Sequence, residues 1–208
     1  MLHLFKSLLA TNRVLPLIAC LTLILTSGCT DEGESDSGTG DSTGQTGSDG
    51  GDPPAPESDD AEAVAALEKA GFQLTRDGEN VTACSVNSDS DISDSFVHLK
   101  GIPGVQTLTF SGPGIQDKGL DVLSELKHVR ALHLSDSAIG DTTLETVGKM
   151  ESVQVLSLRR TNVTDPGLAA ISGLPGVRAV DLRNTNTADE GLLHLAKLSS
   201  LADIQLEK

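Results

Sequence analysis

"DTTLETVGKMESVQVLSLRRTNVT" (residues 141–164) runs directly into "DPGLAAISGLPGVRAVDLRNTNTA" (residues 165–188), and the two align without a gap. Numbered from the aspartate, the first unit carries apolar residues at positions 4, 7 and 10 (Leu144, Val147, Met150), then at 13, 16 and 18 (Val153, Leu156, Leu158), and again at 23 (Val163). The first trio has helical spacing, and the second ends in the alternation of a strand. One unit is therefore a short helix followed by a short strand, and neither can bury its apolar side alone.

The same frame extends in both directions. "DKGLDVLSELKHVRALHLSDSAIG" from Asp117 and "DEGLLHLAKLSSLADIQLEK" from Asp189 fit it, and "SDSFVHLKGIPGVQTLTFSGPGIQ" from Ser93 keeps its apolar positions. Upstream, the pattern predicts a helix near Ala61–Ala70 and a degenerate first repeat over residues 71–92, with a strand at Val81–Val86 and a register slip of one residue around Asp91. The last strand is expected at Leu201–Leu206, for about six strands in all.

"LKHVRALHLSDSAI", "MESVQVLSLRRTNV" and "LPGVRAVDLRNTNT" resemble the leucine-rich repeat LxxLxxLxLxxNxL, in the variety with Thr or Ser in place of Asn that continues into "TDxGL". The resemblance covers residues 93–208. It implies a right-handed α/β solenoid, with parallel strands on the concave face and short helices on the convex face, used for binding rather than catalysis. Residues 61–208 form this domain.

The oxygen-rich stretch "RTNVTDPGL" (160–168) looks like a site, but its features recur with the repeat. Asp117, Asp141, Asp165 and Asp189 each precede a helix, where a carboxylate can accept the free N–H groups of the first turn. Pro166 suits the first helical position. Gly119, Gly167 and Gly191 are expected at close approaches between units, and Ser137, Thr161 and Thr185 as a buried ladder bonded to backbone of the next turn. A catalytic loop would occur once; this one punctuates the fold.

Residues 1–28 read as an export signal, with basic Lys6 and Arg13 and an apolar run, Val14–Leu25, too short to span a bilayer. It ends in "LTSGC", which resembles the lipobox of bacterial lipoproteins, although Thr26 stands where Leu, Val or Ile is usual. The resemblance implies a lipid on Cys29 that anchors the chain to the cell envelope, with the outer membrane favoured by Thr30. An ordinary secretory signal is the alternative. Between Thr30 and Asp60 lie 10 of the chain's 30 acidic residues, with no Lys, Arg or large apolar residue. Residues 29–60 are thus the lipidated cysteine and an acidic disordered tether.

Site chemistry is sparse. Cys84 is left without a partner and reads as a small buried hydrophobe. His98, His128 and His194 fall at unrelated positions without metal-ligand spacing, and the sequons at Asn80 and Asn162 carry no weight beside a bacterial lipobox. No catalytic residue, metal site or cofactor is assigned. Residues 61–208 hold 13 basic against 20 acidic residues and no Trp or Tyr, which disfavours nucleic acid and stacking ligands.

The informative surface is the strand face, where positions 15, 17 and 19 project away from the core. Its candidate binding residues are His133, Ser135, Ser157, Arg159, Arg160, Asp181, Arg183 and Gln205. Two readings are open: a mutually compensated charge network, or a site for a protein or anionic ligand centred on Arg159 and Arg183. The C-terminal strand is a further edge for self-association. The sequence points to a noncatalytic protein-interaction module displayed at the envelope; the alternative is a spacer lipoprotein without a specific ligand, and an enzyme is disfavoured.

Overall fold

The computed structural model describes residues 57–207. The expected signal, Cys29 and the acidic segment as far as Pro56 lie outside the described residues. Helix α1 (Ala61–Lys69) is followed by β1 (Gln73–Asp77), β2 (Asn80–Asn87), a 3₁₀ helix (Ser93–Gly101), β3 (Thr107–Ser111), a second 3₁₀ helix (Leu120–Glu125) and β4 (Ala131–His133). Then come α2 (Asp141–Val147), β5 (Val155–Ser157), α3 (Asp165–Ile171), β6 (Ala179–Asp181), α4 (Asp189–Leu195) and β7 (Asp203–Gln205).

All seven strands form one sheet in chain order. Strands β2 to β7 run parallel, and Cys84, Leu108, Leu132, Leu156, Val180 and Ile204 are successive register partners. Each step is one 24-residue repeat, so the strand side chains stack in columns. The expected slip near Asp91 is absent from the strands, because Cys84 pairs with Leu108 at the full 24-residue spacing.

The first two full units build 3₁₀ rather than α-helix, with Phe96, Leu99 and Ile102, then Leu120, Leu123 and Leu126, buried on one side of the coil; the α-helical units keep the same spacing, so the apolar pattern alone does not set the choice. In the later units α2, α3 and α4 span seven residues each, under two full turns. Such helices hold their shape through packing and not through intrinsic propensity. Every position-16 and position-18 side chain from Leu108 to Leu182 is buried, as are the helix residues facing them. One continuous core results.

Two corrections concern the ends. Seven strands replace the expected six, because β1 folds back on β2 as an antiparallel hairpin around Gly78, at φ 62°, with Asp77 opposite Asn80. At the other end β7 covers Asp203–Gln205, shorter than the expected Leu201–Leu206. The hairpin and α1 cap the stack. Phe72 packs edge-to-face on Phe96 and Phe110 with centroids 6.0 Å apart, while Phe96 and Phe110 lie tilted against each other at 5.4 Å, and Asp59 accepts from the Val81 N–H while the Asp60 N–H donates to the Gly101 carbonyl at 2.8 Å. Cys84 is buried in this region, and burial pushes its thiol up to about 12, so it behaves as an apolar group.

The recurring aspartates do something other than cap their own helices. The Asp117 carboxylate accepts the N–H groups of Gly140 and Thr143 and the Thr143 hydroxyl; Asp141 accepts the Thr164 N–H at 2.8 Å and its hydroxyl at 2.6 Å; Asp165 accepts the Ala188 N–H at 2.8 Å. Each is bonded to the coil that follows, at the entrance to the next helix. Glycine at position 3 makes the room: a Cβ on Gly167 would overlap the Asp141 carboxylate, and one on Gly191 would overlap that of Asp165. Where Thr143 replaces glycine, its hydroxyl supplies a donor instead of a clash.

Ser137, Thr161 and Thr185 are buried as expected, but their hydroxyls donate to the carbonyls of Leu134, Leu158 and Leu182, three residues back in their own turn, at 2.6–2.8 Å. Bonds between coils at this corner come from backbone: Asp136 N–H to the Arg159 carbonyl, Arg160 to Arg183, and Asn184 to Glu207, at 2.7–2.9 Å.

Candidate interaction surface

The parallel register brings His133, Ser157, Asp181 and Gln205 into one column of the strand face. An open depression of about 280 Å³ runs along this face, lined by these four residues and Arg183 among others. Ser135 and Ser157 share a hydrogen bond at 2.8 Å.

The charges beside this column pair with one another. Asp136 receives Arg159 at 2.8 Å on one carboxylate oxygen and Arg160 at 3.0 Å on the other. Asp181 receives Arg183 as a fork, with Nε at 2.9 Å and Nη2 at 2.7 Å. Arg159 and Arg183 therefore each lie against a carboxylate of their own chain. Each guanidinium retains N–H groups outside these pairs.

Hydrogen bonds from Arg159 first, then from Arg160, hold the Asp136 carboxyl below its ordinary range, and those from Arg183 do the same for Asp181. A depressed folded-state value means these carboxylates add stability above the unfolded value, near 3.9, and lose that contribution as pH falls through the folded one. Stability is accordingly expected to decline in acid below about pH 4. Denaturant midpoints measured against pH should fall less steeply in this window for Asp181→Asn than for the native chain.

Arg160 has a backbone cost. It occupies the left-handed region at φ 54°, as do its equivalents Asp136, Asn184 and Gly112. Asp, Asn and Gly tolerate this conformation and arginine does so less well. Arg160→Gly is expected to raise stability by about 0.5–1 kcal/mol despite losing an exposed ion pair; a lower denaturation midpoint would contradict this.

The C-terminal edge places Ile204 and Leu206 in exposed positions, with Leu193 exposed on α4. Asp189 and Glu207 lie beside Leu206 in a shallow depression at this end. Among the described residues no helix is long and apolar enough to cross a membrane, and no group of three or more His, Cys, Asp or Glu side chains is placed to hold a metal ion.

A profile of the family described as leucine-rich repeat matches residues 125–147 and 149–172. With the 24-residue stacked sheet, that decides the architecture. The fold is a leucine-rich-repeat α/β solenoid. Two solved structures from Listeria monocytogenes strain 4b F2365 share similarity with it. Internalin C2 is 20% identical with a TM-score of 0.43, covering 56% of this chain and 46% of its own. The internalin inlF is 18% identical with a TM-score of 0.37, covering 59% and 39%. The chain thus spans less than half the length of either. A search of curated proteins found no match. Leucine-rich-repeat domains are typically protein-interaction modules.

Proposed function

We propose that the solenoid is a protein-recognition module held at the bacterial cell envelope by a lipid on Cys29, with the strand face as its contact surface. The observation that carries this reading is the contrast across the sheet. One face is closed by leucine and valine, while the other presents His133, Ser157, Asp181 and Gln205 in register across four strands, with Ser135, Arg159 and Arg183 two residues beyond the strand ends. The Arg–Asp pairs fix guanidinium groups whose remaining N–H donors can meet carbonyls or carboxylates of a partner. With no Trp or Tyr in the chain, such contacts are polar and the complex weak.

Photo-crosslinkers placed at Ser157 and, as a control, at Glu145 on the helix side test the surface in cells. Recognition requires a defined adduct from position 157 that is lost in Arg159→Ala/Arg183→Ala. Adducts of equal yield from both positions would support the spacer alternative. Anchoring is tested separately: Cys29→Ser should abolish incorporation of labelled palmitate and release the protein from the membrane fraction, outer-membrane in the favoured reading.

A further inference from the structure

A second surface lies outside the strand-face reading. On the rim where helices end and strands begin, Lys127, Arg130, Lys149, Arg178 and Lys197 are all exposed. Among the described residues none of these five has a carboxylate within salt-bridge distance, whereas Arg159, Arg160 and Arg183 are all paired. Of the acids on this rim, Glu125 is taken by Lys100 at 2.7 Å, and Glu151 and Asp203, whose N–H donates to the Arg178 carbonyl, stand against the five cations. The positive charge is local, in a domain whose overall balance is acidic.

Part of this has an ordinary cause. Lys149 and Lys197 follow the ends of α2 and α4 by two residues, where a cation complements the helix dipole. That account does not reach Arg130 and Arg178, which precede strands. Their places are fixed by backbone: the Arg178 N–H donates to the Gln154 carbonyl and the Gln154 N–H to the Arg130 carbonyl, both at 2.8 Å. Arg130, Gln154 and Arg178 therefore occupy three adjacent rungs. At about 4.8 Å per rung the two arginines are roughly 10 Å apart, with an amide between them.

That spacing matches one regular conformation of an acidic peptide closely. A polypeptide in the polyproline II conformation turns once every three residues and rises ~3.1 Å per residue, so side chains at i and i+3 share a face ~9.3 Å apart. In a β-extended chain the same two side chains point to opposite faces. We infer that this rim docks an acidic polyproline II segment of a partner protein, with carboxylates three residues apart seated on Arg130 and Arg178, Gln154 bonding backbone between them, and Lys127 and Lys149 adding longer-range attraction.

Fluorescence anisotropy with labelled repeats of Glu-Pro-Pro and of Gln-Pro-Pro, titrated with the full chain at low salt, tests this. Saturable binding of the glutamate peptide alone is expected, weakened about tenfold or more in Arg130→Ala/Arg178→Ala and by less than about twofold in Arg159→Ala/Arg183→Ala. Absence of saturable binding would overturn the inference, as would equal losses in the two double variants. It would also fall if the chain preferred phosphatidylcholine vesicles containing about 30 mol% phosphatidylglycerol to the peptide, since the rim would then be a membrane-surface element. The strand-face variant separates this result from failure of the recognition reading, which depends on other residues.

Discussion

Leu156→Ala is expected to destabilise the domain by about 3 kcal/mol, within the usual range for truncating a fully buried leucine. The Leu156 side chain has no solvent exposure and lies between Leu132 and Val180 in the position-16 column. Its neighbours above and below are held by their own backbone ladders and cannot close the gap, so both the transfer loss and the cavity loss are felt. Ile204→Ala in the same column should cost under about 1 kcal/mol, because that side chain is 38% exposed. Urea melts followed by circular dichroism would measure both. A stacked solenoid requires the gradient between them; equal costs would mean that the core is shared in some other way.

The part of this architecture that repeats is the part the sequence makes readable. Positions 16 and 18 could be assigned inward because they recur as leucine or valine at fixed distance, and the columns of the strand face follow from them. The β1–β2 hairpin occurs once and so leaves no trace in the repeat. Its signal was of a different kind, Gly78 at the first position of the two-residue loop Gly78-Glu79 between two short runs, where a positive φ is needed. The strand-face charges were legible as residues but not as pairs. Asp136 stands one position beyond the Arg159 column, and only the left-handed turn at φ 57° brings its carboxylate back between Arg159 and Arg160. The rim arginines alternate with Gln106 and Gln154 in a single column one residue before the strands begin, where strand alternation gives no guide to exposure.

The aspartate ladder yields the second large effect. Asp141→Ala is expected to cost about 2–3 kcal/mol, since it leaves the part-buried Thr164 N–H and hydroxyl without the carboxylate they bond. If Asp141 merely capped α2, the loss would be nearer 1 kcal/mol and confined to that helix. Gly167→Ala separates the two accounts. A methyl group there would occupy the space of the Asp141 carboxylate and press on the Leu144 side chain, so the ladder account expects Gly167→Ala to be destabilising even though alanine favours helix over glycine by about 1 kcal/mol. It further expects the two substitutions to be non-additive: once Asp141 is alanine the space beside residue 167 is empty, and adding the methyl group should then cost little or restore some stability. Capping alone predicts the opposite, with Gly167→Ala stabilising in both backgrounds. Denaturation midpoints for the two single variants and the double variant distinguish the accounts by the sign of the coupling, which is the property that identifies Asp141 as a link between successive coils.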